Sequence, residues 1–176
     1  MIPDYQTLMR PVLEASNQGE IHIQDIAAKL AVHFSLTEEE QTQLLPSGRQ
    51  TAFANRVHWA RTYLKQAGLV EATKRGYIAI TERGKQALAE QNTAINNSYL
   101  KQFSEFQAFQ SRGGSADDQV SVVEADTDTT PDEILRASYK RLTDTLSAEI
   151  LDKVRKASPA FFEYLIVELL VAMGYG

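Results

Sequence analysis

The 176-residue chain has no cysteine, only three histidines and a single tryptophan. Without cysteine there is no disulfide framework, no thiolate metal site and no cysteine nucleophile. Three scattered histidines do not supply the ligand spacing of a usual zinc site. A long hydrophobic run is missing too. The most apolar stretch, FFEYLIVELLVAM at 161–173, is interrupted by Glu163 and Glu168 and falls short of the ~20 residues that cross a bilayer. The opening MIPDYQTLMRP lacks the basic stretch and apolar core of a secretory signal. These absences predict a cytoplasmic protein that neither spans a membrane nor is exported. P-loop, G-x-S-x-G and H-E-x-x-H motifs are absent as well.

What is present is a globular composition, 43% hydrophobic and 23% charged, with material for one good core or two small ones. The net charge of −5 reads at first as a chain that repels nucleic acid. Its distribution says otherwise. Between Ser47 and Gln86 stand Arg49, Arg56, Arg61, Lys65, Lys74, Arg75, Arg83 and Lys85 against only Glu71 and Glu82, a local +6 that leaves −11 for the rest.

Along the chain, Tyr5, Leu8, Met9, Val12 and Leu13 recur at helical spacing and predict a first helix over 4–17, kinked or split at Pro11 and closed by Gly19. IHI at 21–23 is a short extended piece. A second amphipathic helix follows with Ile26, Ala27, Leu30 and Phe34 on one face, and a third opens with a Thr37–Glu40 capping box. A longer helix is expected from a Ser47–Gln50 capping box to Gly68, with Phe53, Val57, Ala60, Leu64 and Ala67 as its buried stripe. Gln50, Ala54, His58, Arg61 and Lys65 form one flank of that helix, and Ala52, Arg56, Trp59 and Tyr63 the other. LVEA and YIAI then read as a hairpin whose tip carries Lys74, Arg75 and Gly76, and Thr81 begins another helix.

The stretch 111–130 is polar and acidic, too poor in apolar residues to fold alone, and is expected to be a flexible linker. Thr130-Pro131-Asp132-Glu133 supplies an N-cap, a proline at the first helical position and a capping-box acid, so a helix starts there. Pro131-Asp132 resembles the start of a nuclease motif only superficially, because no acidic-x-lysine triplet follows at useful spacing. A last helix runs from Ser158-Pro159 to Gly174.

The fold class predicted is mainly α with a small β-hairpin wing: a winged helix-turn-helix over 1–110, the linker over 111–130 and a helical segment over 131–176. In such a domain the last bundle helix enters the major groove and the hairpin reaches neighbouring phosphates, which calls for arginine and lysine on helix and wing and forked donors near the helix start. Arg49, Gln50, Arg61, Lys65, Lys74 and Arg75 meet that demand. His58, without a partner nearby in sequence, reads as a groove residue. Asn55 and Arg56 fit either a structural cap or a DNA contact. Trp59 and Tyr63, one turn apart beside the stripe, are expected to pack against the first helix rather than to stack on a base.

The residues of IPDYQTLMRPVLEA and the pattern S-G-x6-N-R-x-x-W-A-x3-L-K-x-A-G-L over 47–69 resemble the N-terminal domain of Mrr-type restriction endonucleases. SPAFFEYLIVELLVAMGYG is similar to the opening helix of the Mrr catalytic domain. The family is a type IV, modification-dependent restriction system in which a winged helix binds DNA and a separate PD-(D/E)xK domain cuts it with a divalent metal. The resemblance implies DNA contact by Ser47, Arg49, Gln50, Asn55, Arg56, Arg61 and Lys65 on the recognition helix and by Lys74 and Arg75 on the wing. It matches Glu163 to an acidic residue of the catalytic domain, whose aspartate and acidic-x-lysine pair fall beyond the glycine-tyrosine at which this sequence stops.

The leading expectation is therefore a protein that binds double-stranded DNA, methylated or not, and that is inactive as a nuclease as given. It would hold no metal and no cofactor of its own, magnesium being expected only with a complete nuclease domain. Segment 131–176 is expected to pair its helices with one another, to self-associate or to remain partly disordered. Two other readings are a fragment of an active modified-DNA endonuclease and a winged-helix protein-interaction module.

Overall fold

Asp4 accepts hydrogen bonds from the Gln6 and Thr7 amides and so starts α1 (Tyr5–Ser16), whose Tyr5, Leu8, Met9, Val12 and Leu13 are all buried. The structure, a computed structural model, describes residues 1–45, 48–90, 93–112 and 129–175. Pro11 lies inside a single helix, and the chain does not divide there. Its missing amide removes one backbone hydrogen bond. Burial of five large side chains, each contributing about 1.5–3 kcal/mol, outweighs that loss.

β1 (Ile21–His22) leads directly into α2 (Ile23–His33), and α3 (Glu38–Thr42) follows behind the Thr37–Glu40 capping box, both of whose hydrogen bonds are formed. α4 (Ala52–Gln66) is the longest helix of this part of the chain. Its C-terminal end is closed by Gly68 at φ +71°, the left-handed conformation glycine adopts without strain. β2 (Val70–Ala72) and β3 (Tyr77–Ile80) form the hairpin, and β1 adds to β3, giving an antiparallel sheet in the order β1-β3-β2 with Ile21 opposite Ile78 and Val70 opposite Ile80. A helix, a strand, two further helices and a longer helix followed by a hairpin make a winged helix, mainly α with a β wing, as the sequence pattern predicts.

The start of α4 differs from expectation. Thr51, not Ser47, is its N-cap, accepting from the Ala54 amide at 3.3 Å. Ahead of it the backbone doubles back: the Leu45 amide donates to the Gln50 carbonyl and the Ala52 amide to the Gln43 carbonyl, both at 2.9 Å. Gly48, at φ +67°, sits in this loop in a conformation that no helical turn contains. Ser47 itself lies outside the described residues.

α5 (Glu82–Ala89) begins at Thr81, and two short helices follow that the sequence pattern did not reveal, α6 (Asn97–Leu100) and α7 (Ser104–Arg112). They close the core, burying Ile95, Leu100 and Phe106. α7 carries the chain in helical form through Ser111 and Arg112, the first two positions of the expected linker. Positions 113–128, the rest of that linker apart from its last two residues, lie outside the described residues.

The chain divides into two compact units, Met1–Glu133 and Ile134–Gly176. α8 (Pro131–Lys156) starts in the first and continues through the second, where Ser158 caps α9 (Pro159–Ala172). Within the second unit the C-terminal turns of α8 and the start of α9 line an apolar groove with Ile150, Val154, Ala157, Phe161 and Leu165. Leu135, Leu142, Leu146, Phe162 and Met173 are exposed. No helix among the described residues is long and apolar enough to cross a membrane.

Candidate nucleic-acid interface

The predicted stripe of α4, Phe53, Val57, Ala60, Leu64 and Ala67, is buried throughout and fixes how the helix is rotated. α4 packs most extensively on α1 and also against α2, β2 and α7. With the stripe inside, its two flanks meet different surroundings.

One flank is covered. Tyr63 lies edge-on to Tyr5 of α1 at 5.4 Å, to Phe106 and Phe109 of α7 at 5.4 and 5.9 Å, and to Trp59 at 5.7 Å. Burial, with Tyr5 close by, pushes the Tyr63 phenol up to about 12. Arg56 donates from Nη1 to the carbonyls of Ile2 and Pro3 at 3.0 and 3.2 Å, and its Nε and Nη2 reach Glu133 Oε1. Asn55, 5% exposed, accepts from the Thr130 hydroxyl at 3.0 Å and donates weakly toward Gln50 and Asp132 at 3.4 and 3.5 Å. Asn55 and Arg56 thus hold the N-terminal residues and the 130–133 segment.

The other flank carries His58, Arg61 and Lys65. His58 and Arg61 are half-buried and Lys65 is exposed. Arg49 is exposed and Gln50 half-buried in the loop that feeds α4. Among the described residues neither Arg61 nor Lys65 forms an ion pair, and the Arg61 Nε is buried without a hydrogen-bond partner. At the hairpin, Lys74 pairs with Glu20 at 2.5 Å and stands 4.0 Å over the Tyr77 ring, and Arg75 forms no ion pair among the described residues. The Glu20 carboxylate raises the Lys74 ammonium above its ordinary value, and Lys74 in turn lowers Glu20.

The basic block is therefore partly internal. Arg56, Lys74, Arg83 and Lys85 are matched to Glu133, Glu20, Glu105 and Glu82. Arg83 also donates to the Ala67 carbonyl and so anchors the end of α4 to α7. Arg61, Lys65 and Arg75, which form no ion pair among the described residues, fall on the open flank of α4 and on the hairpin turn.

One residue of this neighbourhood escaped the sequence reading. His22, on β1, lies edge-on to Tyr77 at 4.8 Å, and its Nδ1 accepts from the Gln24 amide at 3.2 Å to cap α2. Its Nε2 faces the hairpin backbone, where a Cβ added to Gly76 would stand 2.5 Å away. His58 is lowered from its ordinary value, chiefly by burial, then by the charge of Arg61, then by His22. Local pattern holds no signal for His22, because its contact with Tyr77 arises from the β1–β3 pairing.

Glu163 is exposed on α9. Divalent-metal nuclease chemistry needs several convergent carboxylates. The described residues contain no group of three or more His, Asp or Glu that could hold a metal ion, so Glu163 has no such companions there. The described residues do not fit a magnesium site.

The family model described as the Mrr N-terminal domain matches residues 5–90, which span α1 through the hairpin to the end of α5. The type IV methyl-directed restriction enzyme EcoKMrr of Escherichia coli K12 is 28% identical to this chain over 189 aligned positions, an alignment covering 99% of the chain and 60% of that enzyme. The chain thus spans about 60% of the length of this curated relative. No solved structure matches it.

Proposed function

We propose, from the match of residues 5–90 to the Mrr N-terminal domain model, that this chain binds duplex DNA as part of a type IV restriction system. The contacts come from Arg49, Gln50, His58, Arg61 and Lys65 at the open flank of α4 and from Lys74 and Arg75 on the hairpin. The observation that carries this reading is the asymmetry of α4: aromatic rings, carbonyls and Glu133 occupy one flank, while the other presents cations, with no carboxylate among the described residues matched to Arg61 or Lys65.

The chemistry follows from that asymmetry. Placed in the major groove, α4 would set Arg61 and Lys65 against phosphates, where each contact displaces condensed counterions. Arg49 and Gln50, just ahead of the helix, are the forked donors positioned to meet base edges. The hairpin cations would hold the backbone beside the groove and fix the domain's register on the duplex. Asn55 and Arg56 serve this reading indirectly, by holding the 130–133 segment and the N-terminal residues against the far side of α4.

The relative's description as methyl-directed makes methylated duplex the first substrate to compare. Fluorescence anisotropy with methylated and unmethylated copies of one labelled duplex at low salt tests the reading. Both are expected to bind, nonspecific contacts alone giving a Kd on the order of 1–100 μM at physiological salt and tighter at low salt, with affinity falling steeply as salt is added. Absence of binding to either duplex at low salt would contradict it.

A further inference from the structure

α8 is a 26-residue helix with no buried residue. Its apolar side chains are not scattered. Leu135, Tyr139, Leu142, Leu146 and Ile150 recur at steps of four, three, four and four residues, which places them within about 80° of one another around the helix. All five stand open: Leu135, Tyr139 and Leu142 are 68, 71 and 70% exposed, and Leu146 and Ile150 are 57 and 52% exposed. Of the five, only Ile150 lines the groove that α8 forms with α9. A continuous apolar stripe of this length facing water marks a surface that another element covers.

We propose that α8 pairs antiparallel with α8 of a second copy of this chain, so that two copies associate through this stripe. The inference stands independently of the DNA-binding reading, and it gives each particle two winged helices.

Two features select a second copy. The spacing of the stripe reads nearly the same in either direction, so a reversed copy meets it layer by layer. Leu135 of one copy faces Ile150 of the other, Tyr139 faces Leu146, and the two Leu142 side chains meet at the twofold axis.

Charge is arranged in the same sense. Residues 134–143 carry Arg136, Lys140 and Arg141 and no acid, and residues 144–152 carry Asp144, Glu149 and Asp152 and no base. Asp152 holds the Lys156 ammonium at 2.6 Å, whereas Lys140, Arg141, Asp144 and Glu149 form no ion pair among the described residues. Antiparallel pairing lays the basic half of each helix along the acidic half of the other. Parallel pairing sets like charges side by side.

Sedimentation equilibrium of the full chain across micromolar concentrations measures the particle mass, and the expected value is twice the 19.7 kDa of one chain. Leu142→Glu combined with Leu146→Glu should return the protein to a single chain. Both side chains are exposed, so the first unit should stay folded, which the fluorescence of Trp59 checks. The lack of native cysteine lets the direction of pairing be read as well. In an antiparallel pair the two Leu135 positions lie about 22 Å apart along the helices, at 1.5 Å per residue, while Leu135 of one copy faces Ile150 of the other. A short bis-maleimide should therefore join Leu135→Cys chains to Ile150→Cys chains in a mixture and leave either variant alone uncrosslinked. A single-chain mass at every concentration, or a doubled mass that persists when Leu142 and Leu146 are both replaced by glutamate, would overturn the proposal. Crosslinking of Leu135→Cys chains to one another as efficiently as to Ile150→Cys chains would overturn it too, because that is the signature of parallel pairing.

Discussion

Arg56 Nε and Nη2 lie 3.2 and 3.0 Å from the same oxygen of Glu133, and the other carboxylate oxygen of Glu133 accepts from the Thr130 amide at 2.7 Å. One side chain therefore caps α8 and pairs with α4. The Thr130 hydroxyl completes the exchange, accepting from the Glu133 amide at 3.2 Å and donating to Asn55. Thr130 is fully buried, so the chain that returns after the acidic stretch is built into the first unit before α8 continues into the second.

Replacing Arg56 by alanine should lower the stability of the first unit by about 2–4 kcal/mol, because Glu133 and two backbone carbonyls lose their donor in a site that is largely shielded from water. Denaturant unfolding followed by the fluorescence of Trp59, the single tryptophan, reports on this unit directly. Under conditions where the variant is folded, its DNA affinity should match that of the unaltered protein. A selective loss of affinity with unchanged stability would assign Arg56 to the DNA instead.

The parts of this architecture that sequence made legible are those governed by neighbours along the chain. The α4 stripe repeats every three or four residues, the Thr37–Glu40 and Thr130–Glu133 boxes span three positions, and the hairpin strands flank a short turn, so each is written locally. The role of Asn55 and Arg56 is not written locally. Their distant partners lie 53–77 positions away along the chain, and an asparagine-arginine pair on a basic helix fits a DNA contact as well as a clasp. α7 was missed for a related reason: Phe106 becomes a core residue only by meeting Tyr63 from a distant helix. His22 meets Tyr77 through a strand pairing that no spacing rule announces.

Gly84→Ala should destabilise the protein by more than about 2 kcal/mol, against the roughly 1 kcal/mol that alanine ordinarily contributes over glycine within a helix. A Cβ at this position would stand 2.2 Å from the Leu69 carbonyl oxygen and 2.7 Å from the Ile80 side chain, where α5 crosses the hairpin. Thermal unfolding of the variant measures the difference, and a stabilised G84A protein would mean that α5 sits further from the sheet.

Two rings give the protein opposite pH limits. His58 is held below its ordinary 6.5, so the unfolded chain binds the proton more readily and stability falls as the pH drops through that region. Tyr63 is held up at about 12, so above pH 10 the unfolded chain ionises first and stability falls again. H58Q should flatten the acid limb and Y63F the alkaline limb in unfolding measured across pH. Unchanged limbs in these variants would place the titrating groups elsewhere.

We propose that the open flank of α4 faces the phosphates of duplex DNA, and this claim is read from the salt dependence of binding. Replacing Arg61 and Lys65 together by alanine should weaken binding to every duplex and reduce the slope of log affinity against log salt by about 2. A double variant that binds with the slope of the unaltered protein would contradict the claim.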